Sequence, residues 1–193
     1  MNARISPIIL ASASPRRHEL LTQAGVDFTV VVPGCDETPI PGESPREMVE
    51  RLALMKASAV ADSYPDAYVI GADTTVFIDG ESLGKPISVT EACEMLGKIQ
   101  GRTHEVWGGI AITHRGSGFA RCWSHVTAVT MRTMTPDTIR TYVDTGEPMD
   151  KAGSYAIQGL GLQFVDTING SYSNVVGLNI ASLMDALREI SCR

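Results

Sequence analysis

Apolar positions change their period several times along this chain, and each change marks an element. Residues 8–11 (Ile-Ile-Leu-Ala) are an unbroken apolar run, the pattern of a short buried strand. In Ser14-Pro15 a serine can cap a helix, and a proline sits where its missing N–H costs nothing; Gly25 closes that helix. Residues 28–32 predict a second strand. Ser44-Pro45-Arg46-Glu47 has the spacing of a capping box and opens a helix to about Asp62. Its apolar stripe is Met48, Val49, Leu52, Ala53, Met55, Ala59 and Val60. Tyr68-Val69-Ile70 is a strand expected to end at Gly71-Ala72-Asp73-Thr74. A hairpin follows, from residues 75–78 through an Asp79-Gly80 turn. A second capping box, Ser88 to Glu91, opens a helix that stops before Gly101. Residues 103–114 and 119–134 are β-rich and joined by Gly116-Ser117-Gly118. A helix from Thr135-Pro136 to Gly146, a strand over 162–168 closed by Asn169-Gly170, and a helix over 180–190 complete the chain.

Strands and helices interleave without the strict alternation of a doubly wound fold. The pattern predicts a mixed α/β fold, a strongly twisted mixed sheet flanked by helices. At 193 residues the chain has room for one sizeable domain, or two lobes sharing one sheet, and we expect a single domain over 1–193.

Composition narrows the function. The chain is 44% hydrophobic and 20% charged, the balance of a globular protein with a real core. A net charge of −6 argues against nucleic acid or an anionic membrane surface as partner. An acidic protein that binds an anion must gather its positive charge in one place. Cys35, Cys93, Cys122 and Cys192 are scattered without metal spacing and read as free thiols of a reducing cytosol. The first apolar run is too short for a signal peptide or a membrane span, so a cytoplasmic protein is expected.

Four places carry candidate chemistry. Ser12-Ala13-Ser14-Pro15-Arg16-Arg17 joins a strand end to a helix N-terminus, where free N–H groups, two hydroxyls and two guanidinium groups suit a phosphate. The bland alternative is a capped helix with solvated arginines. Lys56 falls inside the apolar stripe of its helix, so it either snorkels outward or meets an anion. Asp73 stands at an expected strand end, a rigid place for a catalytic carboxylate or for a turn residue. Asp36 and Glu37 offer further oxygens for a hard cation, and Gly84-Lys85-Pro86 offers another positive charge. Finally, residues 150–159 (Asp-Lys-Ala-Gly-Ser-Tyr-Ala-Ile-Gln-Gly) fit neither period, and irregular segments often line sites. His18, His104, His114 and His125 form no HExxH pair, and no G-x-S-x-G, Walker A loop or G-x-G-x-x-G turn occurs. Covalent catalysis and nicotinamide chemistry lack support.

These segments together resemble the Maf family of nucleotide pyrophosphatases over essentially the whole chain. The runs that carry the resemblance are Ser12 to Arg17, Gly71-Ala72-Asp73-Thr74, Gly84-Lys85-Pro86, Gly101-Arg102-Thr103-His104, Asp150-Lys151-Ala152-Gly153 through Gln158-Gly159, and Asn169-Gly170-Ser171-Tyr172 with Asn174 to Leu178. All six occur in the family's order. Asn179 departs from it, since many members have proline there. The resemblance implies a two-lobed fold with a central cleft, like that of the inosine triphosphate pyrophosphatases. It implies hydrolysis of a nucleoside triphosphate between the α and β phosphates, with a divalent metal such as Mg2+ or Mn2+. Carried over by position, Asp73 is the proton acceptor, and Arg16, Thr74 and Gln158 are linked to substrate choice. The Lys151 to Gly159 pattern resembles the branch acting on dTTP and UTP rather than the one acting on 7-methyl-GTP.

Physical chemistry agrees with that branch. Thymine and uracil present an N3–H donor beside an O4 acceptor, which a glutamine amide can pair through both its ends. Cytosine reverses the pattern, and an unpaired buried polar group costs about 1–3 kcal/mol. The expected mechanism is direct attack by water at phosphorus. Asp73 and Glu37 would hold the metal, Ser12 and Ser14 would contact the phosphates, and Arg16, Arg17, Lys56, Lys85 and Lys151 would neutralise them. Alternatives are a pyrophosphatase for modified nucleotides and a regulator of cell division that binds nucleotide without turnover. A homodimer is the base-rate expectation.

Overall fold

The computed structural model describes residues 7–192. Seven strands form one mixed sheet. Strand β1 (Ile8–Ala11) is followed by helix α1 (Pro15–Gln23), strand β2 (Thr29–Val31) and helix α2 (Pro45–Ala61). Then come β3 (Tyr68–Ile78), β4 (Glu81–Leu83), α3 (Val89–Ile99), β5 (Thr103–His114) and β6 (Phe119–Met131). Helix α4 (Pro136–Val143), three 3₁₀ turns, β7 (Val165–Asn169), α5 (Tyr172–Val176) and α6 (Ile180–Ser191) finish the chain. The sheet order is β2-β1-β3-β5-β6-β7, with β4 pairing β3 off that path. β1 runs parallel to both β2 and β3, whereas β3–β4 and β6–β7 are antiparallel. This is the mixed sheet that the interleaved pattern predicts.

Local chemistry explains the boundaries. Ser44 accepts the Glu47 N–H, and the Glu47 carboxylate accepts the Ser44 N–H at 2.9 Å, so the first capping box forms in full. The second is displaced: Ser88 accepts from Glu91 N–H, but the Glu91 carboxylate takes the Ile87 N–H instead. Ser14 makes no side-chain cap to α1. Asn179 caps α6, its Oδ1 accepting from Ser182 N–H at 3.2 Å, a task proline could not perform. The expected strand end at 71–74 is overturned, for β3 continues to Ile78. β1 ends opposite Gly71, and β4 pairs with β3 from Val76 to Ile78 before the Asp79-Gly80 turn. Residues 162–164 are 3₁₀ rather than strand. β6 stops at Met131, short of the expected 134.

The chain divides into two compact units. Unit 1 comprises Met1–Asp73, Gly108–His125 and Gly177–Arg193, and unit 2 comprises Thr74–Trp107 and Val126–Val176. Unit 1 has a core of small side chains, with Ala53, Ala57 and Ala61 of α2 against Ile9, Ala11, Val69 and Ala111. Unit 2 has a core of large ones, among them Ile78, Leu96, Ile99, Met131, Tyr142 and Phe164.

The small residues let α2 approach the sheet closely. A Cβ on Gly71 would fall on the Ala53 carbonyl oxygen and 2.7 Å from Ala57 N. One on Gly109 would fall on the Val49 carbonyl oxygen. Two glycines on β3 and β5 therefore make room for the helix backbone itself. This contact brings Lys56 against β3.

Candidate active site

Lys56 resolves the choice that its sequence left open. It is 5% exposed, does not snorkel, and meets two anions. Its Nζ lies 2.7 Å from Asp73 Oδ1 and 2.6 Å from Glu37 Oε2. The geometry follows from the fold: Lys56 precedes Ala57, which rests on Gly71, and Asp73 lies two residues beyond Gly71 on the same face of β3. Asp73 is 8% exposed, whereas Glu37 is on an exposed loop. A buried ammonium needs a nearby anion, and a buried carboxylate needs a cation or donors, so each makes the other tolerable. Asp73 is thus held mid-strand by a helix residue rather than displayed at a strand end.

The phosphate-cradle candidates stand in the same unit. Ala11 pairs with Gly71, so Ser12 leaves β1 alongside the approach to Asp73. Ser12 is buried, and its hydroxyl accepts the Ser14 N–H at 3.1 Å and an Arg17 N–H at 3.4 Å. The Arg17 Nε donates to the Gly177 carbonyl at 2.9 Å, tying α1 to the entry of α6. Burial lowers the Arg17 pKa from its ordinary value. The Asp73 charge raises it, Arg16 lowers it and Glu37 raises it, so these charges share one neighbourhood. The guanidinium nonetheless remains charged. Arg16 and Ser14 are partly exposed at the start of α1. The structure thus groups Ser12, Arg17, Lys56, Glu37 and Asp73.

Thr74, Lys85, Lys151 and Gln158 belong to unit 2. Thr74 directly follows Asp73 and points to the other face of β3. Gly153 N–H donates to the Gly84 carbonyl at 3.1 Å, so the backbones bearing Lys85 and Lys151 are bound together. Lys85 is exposed, while the Lys151 Nζ donates to the Glu147 carbonyl at 2.7 Å and pairs with Asp150. Gln158 is half-buried, between the 3₁₀ turns Ala152–Ser154 and Gly159–Phe164. The segment is irregular, as its pattern predicts.

Some contacts have no sequence signal. His104 is 2% exposed, and its Nε2 lies 2.8 Å from Tyr155 Oη. Burial pushes the imidazole pKa down to about 4 and the Tyr155 phenol up. Tyr142 Oη accepts the Ala156 N–H, and the Glu147 carboxylate accepts the Leu160 N–H. Neither Tyr142 nor Glu147 stands out by period or motif.

Among the described residues, no three His, Cys, Asp or Glu side chains group as a metal cage. Glu37 and Asp73 still suit a hard divalent cation: they are oxygen donors converging on one cationic point, and magnesium commonly takes one or two carboxylates plus phosphate oxygens. Also among the described residues, no helix is long and apolar enough to cross a membrane, and all four cysteines are free.

The fold and its relatives point the same way. The structure of the Staphylococcus aureus Ham1 protein aligns with a TM-score of 0.50, covering 95% of this chain and 98% of that one at 15% identity. That likeness is one of fold alone, and it bears out the expected fold class, a mixed α/β fold like that of the inosine triphosphate pyrophosphatases. A sequence model of the Maf-like protein family matches residues 7–190, and the chain belongs to that family. A protein of Desulforamulus reducens named dTTP/UTP pyrophosphatase is 50% identical, over 94% of this chain and 95% of its own. Similar proteins of the same name occur in Symbiobacterium thermophilum, 48% identical over 94% and 93%, and in Geobacter sulfurreducens, 46% identical over 95% and 96%.

Proposed function

We propose that this chain hydrolyses dTTP and UTP between the α and β phosphates, releasing the nucleoside monophosphate and pyrophosphate. The observation that carries the proposal is the buried Lys56 ammonium between Asp73 and Glu37, beside the Ser12–Arg17 turn, in a chain about half identical to relatives named for that activity. Water attacks at phosphorus, and Asp73 accepts its proton. Arriving phosphate oxygens compete for the Lys56 ammonium, which frees an Asp73 oxygen for that task. Arg16 and the Ser12 and Ser14 hydroxyls meet the phosphates, while Arg17 adds charge and holds Ser12 in place. Lys85 and Lys151 add further positive charge, and the pyrophosphate leaves neutralised.

Gln158 reads the pyrimidine through its amide, and Thr74 and Arg16 contribute to substrate choice. A divalent cation, Mg2+ or Mn2+, is the proposed cofactor, with Glu37 and Asp73 as the residues to hold it. When bound it supplies charge neutralisation at the phosphates. The free cysteines support a cytoplasmic setting.

Pyrophosphate release from a panel of nucleoside triphosphates, with magnesium, manganese or chelator, tests this reading. It predicts metal-dependent turnover of dTTP and UTP with CTP and purines poor. Preferred turnover of 7-methyl-GTP would overturn the substrate assignment. Tight binding without release would overturn the enzymatic one.

A further inference from the structure

A glutamine amide can pair with a base edge only if the backbone that carries it is held at the right place, since recognition groups must sit within a fraction of an ångström of their partners. The backbone at Gln158 lies between two 3₁₀ turns, outside any α-helix or strand. It is fixed instead by two side chains of unit 2. Two residues before Gln158, the Ala156 N–H donates to Tyr142 Oη at 3.1 Å. Two residues after it, the Leu160 N–H donates to Glu147 Oε2 at 2.9 Å. Each anchor is seated against a glycine. A Cβ on Gly159 would lie 2.5 Å from Glu147 Oε1, and one on Gly161 would lie 2.5 Å from Tyr142 Oη. Gly159 also has φ +76°, a conformation that side-chain-bearing residues rarely adopt. Glu147 reaches the other end of the segment too, through its carbonyl on Lys151 Nζ.

We propose that Glu147 and Tyr142 are specificity-positioning residues that bracket Gln158 and fix the backbone position from which its amide meets the base. This rests on the proposed function, with Gln158 as base reader. Neither residue needs to touch substrate. The Glu147 bond is charge-assisted and exposed, whereas the Tyr142 bond is neutral and buried. Burial raises the Tyr142 phenol to about 12, so it stays an uncharged hydroxyl across the working range.

The experiment measures kcat and KM for UTP and CTP in the wild type, Glu147→Ala, Glu147→Gln and Tyr142→Phe, with melting temperatures alongside. Glu147→Ala is expected to reduce the UTP:CTP ratio of kcat/KM by about tenfold, the equivalent of roughly one misplaced hydrogen bond. The loss falls on KM for UTP and leaves CTP nearly unchanged. Glu147→Gln keeps an acceptor for the Leu160 N–H and restores most of the ratio. Tyr142→Phe lowers the ratio in the same direction and decides the matter if Glu147→Ala does not fold. Equal loss for both substrates at an unchanged ratio marks a merely structural role and overturns the proposal. A wild type without UTP preference overturns the base-reading role of Gln158 as well. A discriminating wild type whose variants discriminate equally overturns the bracket alone.

Discussion

In unit 1 Lys56 and Asp73 stand on a helix and a strand whose backbones nearly touch. In unit 2 the segment bearing Gln158 has only short 3₁₀ turns, with no α-helix or strand of its own. The first region is positioned by absence: Gly71 and Gly109 lack side chains, Ala53 and Ala57 have small ones, and α2 settles onto β3 until Lys56 reaches Asp73. The second is positioned by addition, through Tyr142, Glu147 and the His104–Tyr155 pair reaching into an irregular chain. Close backbone packing leaves few alternative geometries and suits the proton-acceptor role proposed for Asp73, which needs a fixed position. Side-chain anchors can be exchanged one at a time, and that suits a recognition segment. Damage in the first region should therefore fall on rate and stability together, and damage in the second on selectivity.

The largest expected effect on stability lies in the first region. Lys56→Met keeps the volume but leaves the Asp73 carboxylate buried without its cation, which costs about 3–5 kcal/mol. Adding Asp73→Asn removes that stranded charge, and the double variant recovers most of the loss. Urea unfolding of both variants checks this. A Lys56→Met protein as stable as the wild type would show that the pair is not desolvated as described.

A smaller effect, in the second region, depends on pH. Burial holds the folded His104 pKa at about 4, below its unfolded value near 6.5. As pH falls between these values, the unfolded chain takes up a proton that the folded protein refuses. The associated stability is complete above about pH 6.5 and is lost progressively towards pH 4, about 3 kcal/mol in total. Unfolding free energies across that range should carry this slope in the wild type and lack it in His104→Gln. Equal slopes would mean that the imidazole is not kept neutral by its surroundings.

What could be read from the chain follows the same division. The capping box at Ser44 set the start of α2, and helical spacing put Lys56 on its apolar side. The partners of Lys56 were out of reach. Asp73 is 17 positions away, and the contact depends on Gly71 admitting a helix backbone. The strand is expected from the sequence to end at residues 71–74, whereas β3 continues to Ile78, where β4 supplies a new partner beyond β1. In unit 2 the lack of period at 150–159 was itself legible, but its anchors were not. Tyr142 follows the ordinary apolar spacing of α4, and Glu147 lies in a turn without a motif. α5 has five residues, too few to display a helical period.

The division of labour is tested most directly by kcat/KM for UTP and CTP, measured as pyrophosphate release, in the wild type, Asp73→Asn and Gln158→Leu. The account predicts that Asp73→Asn lowers both substrates by about 100-fold or more and leaves their ratio unchanged. Gln158→Leu should bring the ratio close to one while kcat stays within about tenfold, since only base contacts are lost. Near-normal turnover by Asp73→Asn, or a retained UTP preference in Gln158→Leu, would contradict it.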